Sequence, residues 1–386
     1  MGAERVMIEG VKGLRALGVD CHMVLPWNLP VASPWLELEA PRIYAPVEWW
    51  SYPADLSLAM RTRLMARVAS STAILARRLR AIAPDLIITN TSVTPVAALA
   101  ARLLGVPHIW YIHEFGREDH GLNFALGRTL SVRAIAALSA RVIVNSRAVG
   151  AHFADLLSEA KTRLLYSGVE VPAAAAVEPR EGKTFRLVIV GSLSPGKRQE
   201  DAIRALSLLM RKGVASHLTI VGPGDDGYAA DLRRLTAELG LEAAVSFVSE
   251  TDTPYPYYAS AQLSLICSRH EAFGRVTIEA MKMGRPVVGA RSGATVEIIR
   301  DGFNGFLYEP CDPADLAQKI ETVIRDPALR LAMGRNARQW ANETFDMQIY
   351  ATALQAILRE AMGKRANAET MKLPIATPSI PPVIGG

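Results

Sequence analysis

The chain has 386 residues, of which 50% are apolar and 21% are charged, and its formal net charge is +5. This length predicts two domains, because a single hydrophobic core stops growing at roughly 250–300 residues. The mild positive charge favours acidic small ligands or an anionic membrane surface. No zinc-finger, RRM-like or heptad pattern indicates a nucleic-acid partner.

The cysteine spacing and the lengths of the apolar runs predict where the protein resides in the cell. Cys21, Cys267 and Cys311 are odd in number and widely spaced, which is typical of reduced thiols in the cytoplasm and predicts neither a disulfide framework nor a zinc site. No apolar run reaches 18 residues and no signal-peptide pattern is present. We therefore expect a soluble or at most peripheral protein.

Short apolar strands alternate with helices through the N-terminal half, which predicts βαβ units and a mostly parallel sheet. The predicted strands cover residues 21–25, 85–89, 108–113, 141–145 and 163–166, and the predicted helices cover 1–20, 58–83, 95–104, 123–138 and 149–159. The intervening residues 27–56 are rich in Pro and Trp without a clear period, which predicts an irregular loop.

The first predicted helix comes before any strand, although a doubly wound sheet usually places its first strand at the centre. We therefore expect an unpaired gap in this sheet and interpret the start as a late start site or a fragment. An in-frame apolar strand encoded directly upstream would support this hypothesis, and a stop codon there would contradict it.

The helix predicted over residues 58–83 is strongly basic, and its arginines are Arg61, Arg63, Arg67, Arg77, Arg78 and Arg80. A basic amphipathic helix can lie on an anionic membrane. A basic helical face is also typical of a solvated surface, so both interpretations stay open.

A second alternation of strands and helices follows a linker over residues 171–182, which has two prolines, small residues and no period. Its predicted strands cover residues 185–191, 217–221, 245–248, 286–289 and 302–307, and its predicted helices cover 198–212, 228–239, 254–259, 315–325, 327–343 and 347–362. The last residues, 366–386, are rich in proline and lack a core pattern, which predicts a disordered tail.

The stretch 268–293 carries the strongest indication of chemistry. An apolar run ends at Cys267, Glu271 lies in the loop that follows, and Phe273-Gly274 opens a predicted helix that contains Glu279. Free N–H groups at a helix N-terminus, together with the helix dipole, suit a phosphate group. An acidic residue one turn inside suits a ribose diol, although either glutamate alone could also be a solvated side chain.

The spacing Glu271-x7-Glu279, followed by Gly284-x-Pro286-Val287-Val288, closely resembles the C-terminal signature of retaining glycosyltransferases of family 4. The resemblance covers residues 2–362 and implies the GT-B fold, an α/β architecture with two Rossmann-like, doubly wound parallel-sheet domains facing a cleft. The domains implied are an N-terminal acceptor domain, a linker, a nucleotide-sugar-binding domain, a helix that crosses back to the first domain, and the tail: residues 1–170, 171–182, 183–343, 344–365 and 366–386.

A second match is the glycine-rich segment Gly191-Ser192-Leu193-Ser194-Pro195-Gly196-Lys197. A lysine at a helix N-terminus is a good diphosphate clamp, because it adds a point charge to the N–H donors. The family carries an arginine where this chain has Ser192, and our hypothesis is that Arg198 supplies the charge from a neighbouring position. The turn Gly293-Ala-Thr-Val-Glu297 also resembles the family's Gly-Gly-x-x-Glu turn.

The resemblance implies roles for these residues. The departing diphosphate would be stabilised by a donor-binding set that the resemblance places at Ser192, Lys197, Arg198, Phe273, Gly274 and Arg275. Glu279 would hold the ribose. Glu271 would bind hydroxyls of the donor sugar and stabilise positive charge at the anomeric carbon. No Asp-x-Asp occurs in the chain, so we expect protein cations, rather than a metal, to balance the diphosphate.

The N-terminal half would contribute a histidine. His113 follows a predicted strand, where family members carry a histidine that lies against the transferred sugar, and a histidine that caps the next helix is the alternative. The loop beside it is charged and suits acceptor hydroxyls: Glu114, Arg117, Glu118, Asp119 and His120. Gly2 would belong to a glycine-rich donor loop, and residues 27–56 would either face the cleft or form a surface insertion.

These implications predict a transferase that moves a sugar from a nucleotide-diphosphate donor to a glycan or lipid-linked acceptor with retained anomeric configuration. By analogy we expect bacterial surface polysaccharide synthesis at the cytoplasmic membrane face, with the nucleotide sugar as co-substrate and no cofactor. The alternatives are a GT-B sugar-nucleotide epimerase, a phosphorylase, or a nucleotide-sugar-binding protein that has lost catalysis. A nicotinamide-dependent dehydrogenase is disfavoured, because no Gly-x-Gly-x-x-Gly follows a strand.

Overall fold

The computed structural model describes residues 2–27, 34–52, 56–172, 182–224, 226–249, 251 and 253–363. The chain divides into two compact units, the first formed by residues up to Gly168 together with those from Met347 onward, the second by Val169–Asp346. The final helix therefore belongs to the first unit. Most of the expected linker (residues 173–181) and the whole expected tail lie outside the described residues.

The N-terminal unit is built from short parallel strands and helices. Its helices are α1 (Gly2–Ala16), α2 (Leu58–Arg80), α3 (Val96–Leu104), α4 (Arg117–His120), α5 (Arg128–Leu138), α6 (Arg147–Phe153) and the final helix, Met347–Met362. Its strands are β1 (Met23–Pro26), β2 (Arg42–Ala45), β3 (Ser51–Tyr52), β4 (Ile87–Thr89), β5 (His108–Ile112), β6 (Asn123–Phe124), β7 (Arg141–Val144) and β8 (Thr162–Leu164).

The parallel strands of this unit form two sheets rather than one. A four-stranded sheet has the order β4-β5-β7-β8, and β1 pairs only with β2 in a separate two-stranded sheet. Among the described residues no strand joins these two sheets, in agreement with the gap expected from the sequence. The short strands β3 and β6 pair antiparallel.

Two sequence-based expectations for this unit are wrong in detail. Residues 27–56 are not wholly irregular, because β2, β3 and a 3₁₀ turn at Pro34–Glu37 lie within them. The helix expected over residues 123–138 begins only at Arg128, because Gly127 is its N-cap with a φ of +77° and β6 precedes it. Turn glycines with positive φ end one element and begin the next without steric cost.

The first and last helices of the N-terminal unit pack closely against each other. Val6, Val11 and Leu14 of α1 share a core with Tyr350 and Leu354 of the final helix. The approach requires a glycine, since a Cβ at Gly13 would lie within 3.0 Å of the Ala351 methyl group.

The second unit contains one six-stranded, wholly parallel sheet in the order β11-β10-β9-β12-β13-β14. Its strands are β9 (Phe185–Val190), β10 (Ser216–Val221), β11 (Val245–Val248), β12 (Leu263–Ile266), β13 (Val287–Ala290) and β14 (Gly305–Tyr308). Its helices are α7 (Gln199–Arg211), α8 (Asp226–Glu238), α9 (Tyr255–Ser260), α10 (Arg275–Lys282), α11 (Thr295–Ile298), α12 (Pro313–Arg325) and α13 (Pro327–Thr344), so that the final helix becomes α14.

The order of this sheet positions the site. The chain runs outward from β9 to β11, then returns to place β12 on the other side of β9. Ligands of open parallel sheets bind beyond the carboxyl ends of the strands where the order reverses, here at the ends of β9 and β12. No helix among the described residues is long and apolar enough to cross a bilayer.

Candidate active site

The loop after β12 holds Glu271 through its backbone. The Glu271 carbonyl accepts a hydrogen bond of 2.7 Å from the N–H of Ala294, which follows β13. Gly293, with a φ of +54°, lies so close that a Cβ there would come within 3.0 Å of the same carbonyl oxygen. The turns after two neighbouring strands are therefore in direct backbone contact.

The Glu271 carboxylate is buried and ion-paired. Lys197 Nζ donates to its Oε2 at 2.7 Å, and only 10% of the Glu271 side chain is exposed. Burial raises the pKa of Glu271, but the charge of Lys197 and hydrogen bonds from Lys197, Ser268 and the Gly274 N–H outweigh burial and leave the pKa below its ordinary value. Glu271 is therefore a carboxylate at neutral pH.

Lys197 lies at the end of the glycine-rich segment between β9 and α7. This segment rests on the loop after β10, because the N–H of Leu193 donates to the Pro223 carbonyl at 2.7 Å. A Cβ at Gly222, in that loop, would come within 3.0 Å of the Gly191 carbonyl oxygen. These contacts hold the segment against the loop after β10, and at its end Lys197 reaches Glu271, 74 residues away in sequence.

Arg198 does not extend freely from this segment. It is the N-cap of α7 in a left-handed conformation, with a φ of +51°. Its guanidinium donates two hydrogen bonds of 2.8 and 2.9 Å to the buried Asp201 and lies 3.4 Å from Glu200. The hydrogen bond to Asp201 raises the pKa of Arg198 above its ordinary value. Ser192, the residue that departs from the family, is exposed, and its carbonyl accepts from Gln199.

The residues predicted around α10 lie together at its N-terminus. Gly274 is the N-cap with a φ of +89°, and the first N–H groups of a helix have no intrahelical acceptor. The Phe273 ring is buried against Phe345, with 6.0 Å between ring centroids, so only its backbone can serve a ligand. Glu279 is 3% exposed, and Arg275 Nη2 lies 3.8 Å from its Oε1.

His113 lies in the other unit, directly after β5. Its Nε2 is 2.7 Å from Oδ1 of Asn90, whose amide nitrogen donates to the Ala3 carbonyl. Because Oδ1 can only accept, Nε2 carries the proton and Nδ1 is an acceptor, and this Nδ1 is buried without a hydrogen-bond partner among the residues that the structure describes. Burial lowers the pKa of His113 to about 3, so the ring is neutral. It does not cap the next helix, α4, whose N-cap is Gly116.

Glu114, one of the charged residues expected to bind acceptor hydroxyls, is instead engaged within the protein. The Glu114 carboxylate is buried and accepts from the Thr91 hydroxyl, from the N–H and hydroxyl of Ser92, and from the His113 N–H. Glu114 therefore holds the ends of β4 and β5 together and has little capacity left for a ligand. Gly2 is the first residue of α1, and a Cβ there would meet nothing within 4 Å.

Two contributing residues were given no role from the sequence: Asn90, which contacts His113, and Ser268, which donates a hydrogen bond to Glu271. A polar residue directly after an apolar strand was the available signal for Asn90 and Ser268. Across the described ranges no group of three or more His, Cys, Asp or Glu side chains could hold a metal ion.

Each half of the sequence matches a known protein family. Residues 1–171 match Glycosyltransferase Family 4, and residues 172–340 match Glycosyl transferases group 1. The chain is 30% identical over 311 residues to the glycogen synthase of Mycobacterium tuberculosis, a match that covers 77% of this chain and 74% of that protein. It is 28% identical over 309 residues to the D-inositol 3-phosphate glycosyltransferase of Acidothermus cellulolyticus, covering 72% of this chain and 67% of that protein.

A solved structure supports the fold. The crystal structure of Anabaena HepE in complex with UDP and glucose superposes with a TM-score of 0.73 at 24% identity, over 93% of this chain and 96% of that one. The expected α/β GT-B architecture with two Rossmann-like domains is thereby confirmed. Both halves of the chain match the same class of enzyme, and the chain belongs to the group 1, family 4 glycosyltransferases, which are transferases acting with nucleotide sugars.

Proposed function

We propose that this glycosyltransferase moves a hexose from a nucleoside diphosphate donor to a hydroxyl of a glycan or lipid-linked saccharide, with retention at the anomeric carbon. The observation that carries the proposal is the Lys197–Glu271 pair at the carboxyl ends of two adjacent parallel strands. It places one cation and one carboxylate beside the helix N-terminus of Gly274. The cation stabilises the negative charge on the departing diphosphate, and the carboxylate stabilises the positive charge that develops on the sugar.

The roles follow from chemistry. Lys197 and the N–H groups at the start of α10 stabilise the departing diphosphate, and Glu271 accepts from sugar hydroxyls while opposing charge at the anomeric carbon. Glu279 accepts from the ribose. Arg198, held by Asp201, positions the segment that carries Lys197 rather than binding phosphate itself. The unpaired Nδ1 of His113 accepts a hydrogen bond from a sugar hydroxyl.

UDP-glucose is the donor to test first, because the Anabaena HepE structures hold UDP, UDP-glucose and glucose. We propose a metal-independent reaction within bacterial surface polysaccharide synthesis, at the cytoplasmic membrane face. A nucleotide-sugar-binding protein without catalysis and a sugar-nucleotide epimerase are the alternatives. Glycosyl transfer to an acceptor would exclude both.

The deciding experiment measures binding of UDP, GDP, ADP and CMP by calorimetry, followed by transfer from the matching sugar donors. We expect one nucleoside diphosphate to bind, transfer to continue in EDTA, and an α-linked donor to give an α-linked product by NMR. His113→Ala should bind the nucleotide normally and lose most turnover, because its acceptor serves the sugar alone. Binding without transfer from any donor, or an inverted product, would contradict the proposal.

We further propose that α2 rests on an anionic membrane. Arg63, Arg67 and Arg78 lie on one face of the helix. The guanidinium carbon of Arg78 lies 5.6 Å from the centroid of the Trp27 ring. Arg67 forms an ion pair with Glu48, the residue before Trp49 in sequence. Both tryptophans are at least half exposed, which suits an interface that needs cations and amphipathic rings.

Vesicle co-sedimentation tests this surface. The protein should bind phosphatidylglycerol vesicles and bind phosphatidylcholine vesicles at least fivefold more weakly, since each basic residue contributes about 1 kcal/mol near an anionic surface. Trp49→Ala should reduce binding, whereas Leu130→Ala, which removes another exposed apolar side chain on α5, should not. Equal binding to both vesicles, or to neither, would contradict the proposal.

A further inference from the structure

The charged groups around the candidate donor site largely neutralise one another. Lys197 is paired with Glu271, Arg198 with Asp201 and Glu200, and Arg275 lies beside Glu279. A diphosphate that leaves a sugar carries several negative charges, and it needs cations beyond those already balanced by carboxylates. If the proposed function holds, another positive group has to reach the diphosphate.

Arg269 is placed to supply this additional positive charge. Its N–H donates a hydrogen bond of 2.9 Å to the carbonyl of Gly196, the residue directly before Lys197. Its own carbonyl accepts from the Ser292 hydroxyl, which belongs to the turn that also holds Glu271. Two hydrogen bonds thus fix the Arg269 backbone between the glycine-rich segment and the turn after β13.

The side chain of Arg269, in contrast, is exposed. Within the described part of the chain its guanidinium has no carboxylate partner, unlike those of Arg198 and Arg275. A guanidinium binds phosphate oxygens through two parallel N–H groups, and it stays charged at any physiological pH. Arg269 therefore combines an exposed guanidinium with a backbone that is hydrogen-bonded to Gly196, the residue before Lys197, and it is suited to bind an arriving diphosphate.

We propose that Arg269 is a diphosphate-binding and catalytic residue of this enzyme. It closes over the donor from the β12 side while Lys197 acts from the β9 side. Its guanidinium binds the diphosphate oxygens in the bound donor and holds them as negative charge grows on the leaving group. The neutral hydroxyl of Ser192 leaves this charge for Arg269 to supply.

The test compares Arg269→Ala and Arg269→Lys with Arg234→Ala. Arg234 is an exposed arginine on α8, so its removal changes the net charge equally. We expect Arg269→Ala to weaken calorimetric binding of the nucleoside diphosphate about tenfold, to weaken the nucleoside monophosphate less, and to lower kcat/KM by tenfold or more. Arg269→Lys should recover part of both, and Arg234→Ala should match the unsubstituted enzyme. Thermal unfolding should be unchanged in all three.

The outcomes separate the two proposals. Normal diphosphate binding and turnover in Arg269→Ala, with the unsubstituted enzyme active, would overturn the role of Arg269 and leave the proposed function intact. An equal loss of affinity for the mono- and diphosphate would also overturn it, because the guanidinium would then not recognise the diphosphate. Failure of the unsubstituted enzyme to bind any nucleoside diphosphate would overturn both.

Discussion

Replacing Lys197 with methionine is expected to lower kcat by about two to three orders of magnitude, the usual cost of removing one preorganised group that stabilises charge in the transition state. The substitution keeps most of the apolar stem of the side chain and deletes its charge. The loss should appear with every active donor, because Lys197 acts on the diphosphate that all donors share.

The same substitution leaves Glu271 buried without its cation. We expect a loss of about 1–3 kcal/mol in the free energy of unfolding at neutral pH, the cost of an unsatisfied buried polar group. The double variant Lys197→Met/Glu271→Gln removes both charges and should recover most of this stability while remaining inactive. Recovered stability with absent turnover would separate the chemistry of the pair from its structural contribution.

The pH dependence of this loss has a definite sign. Glu271 has a pKa below the value of 4.5 for an unperturbed group, so its ion pair stabilises the fold above that pH, and the stabilisation is lost as pH falls through the lowered pKa. The difference between the unsubstituted enzyme and Lys197→Met should therefore shrink on acidification. Urea unfolding at several pH values measures it, and a difference that grows toward acid would contradict the assignment.

Gly293→Ala is expected to lower kcat/KM by about a hundredfold, although the substitution adds one methyl group and touches no catalytic side chain. The new Cβ would lie within 3.0 Å of the Glu271 carbonyl oxygen, which cannot move without displacing the Glu271 carboxylate. A displacement of about 1 Å in a positioned group can cost a hundredfold in rate.

Gly302→Ala is the matched control for this substitution. Gly302 also has a positive φ, +76°, but a Cβ there would meet nothing within 4 Å. Both variants carry the cost of about 1–2 kcal/mol for a left-handed alanine, and only Gly293→Ala also displaces Glu271. We therefore expect both substitutions to lower the midpoint of thermal unfolding. Only Gly293→Ala should lose turnover. Equal turnover in the two variants would show that this contact does not position Glu271.

The second unit was predicted well because its signals are local. Runs of β-branched residues that end in glycine mark β9 and β10, and helical periodicity marks α7, α12 and α13. The loop–helix chemistry around Gly274 also rests on neighbours in sequence. Residues 27–56 were predicted less well, because β2 forms only by pairing with β1, a long-range contact that leaves little trace in composition.

The sequence by itself determined the identities that chemistry requires: a lysine after a glycine-rich segment, two glutamates eight residues apart, and a histidine after a strand. Only the tertiary structure decided which charges are available. It paired Lys197 with Glu271 across 74 residues, committed Arg198 to Asp201, and left the side chain of Arg269 exposed. Charge partners depend on which strand ends the sheet order brings together, and that order is set by packing of the whole unit rather than by any local pattern.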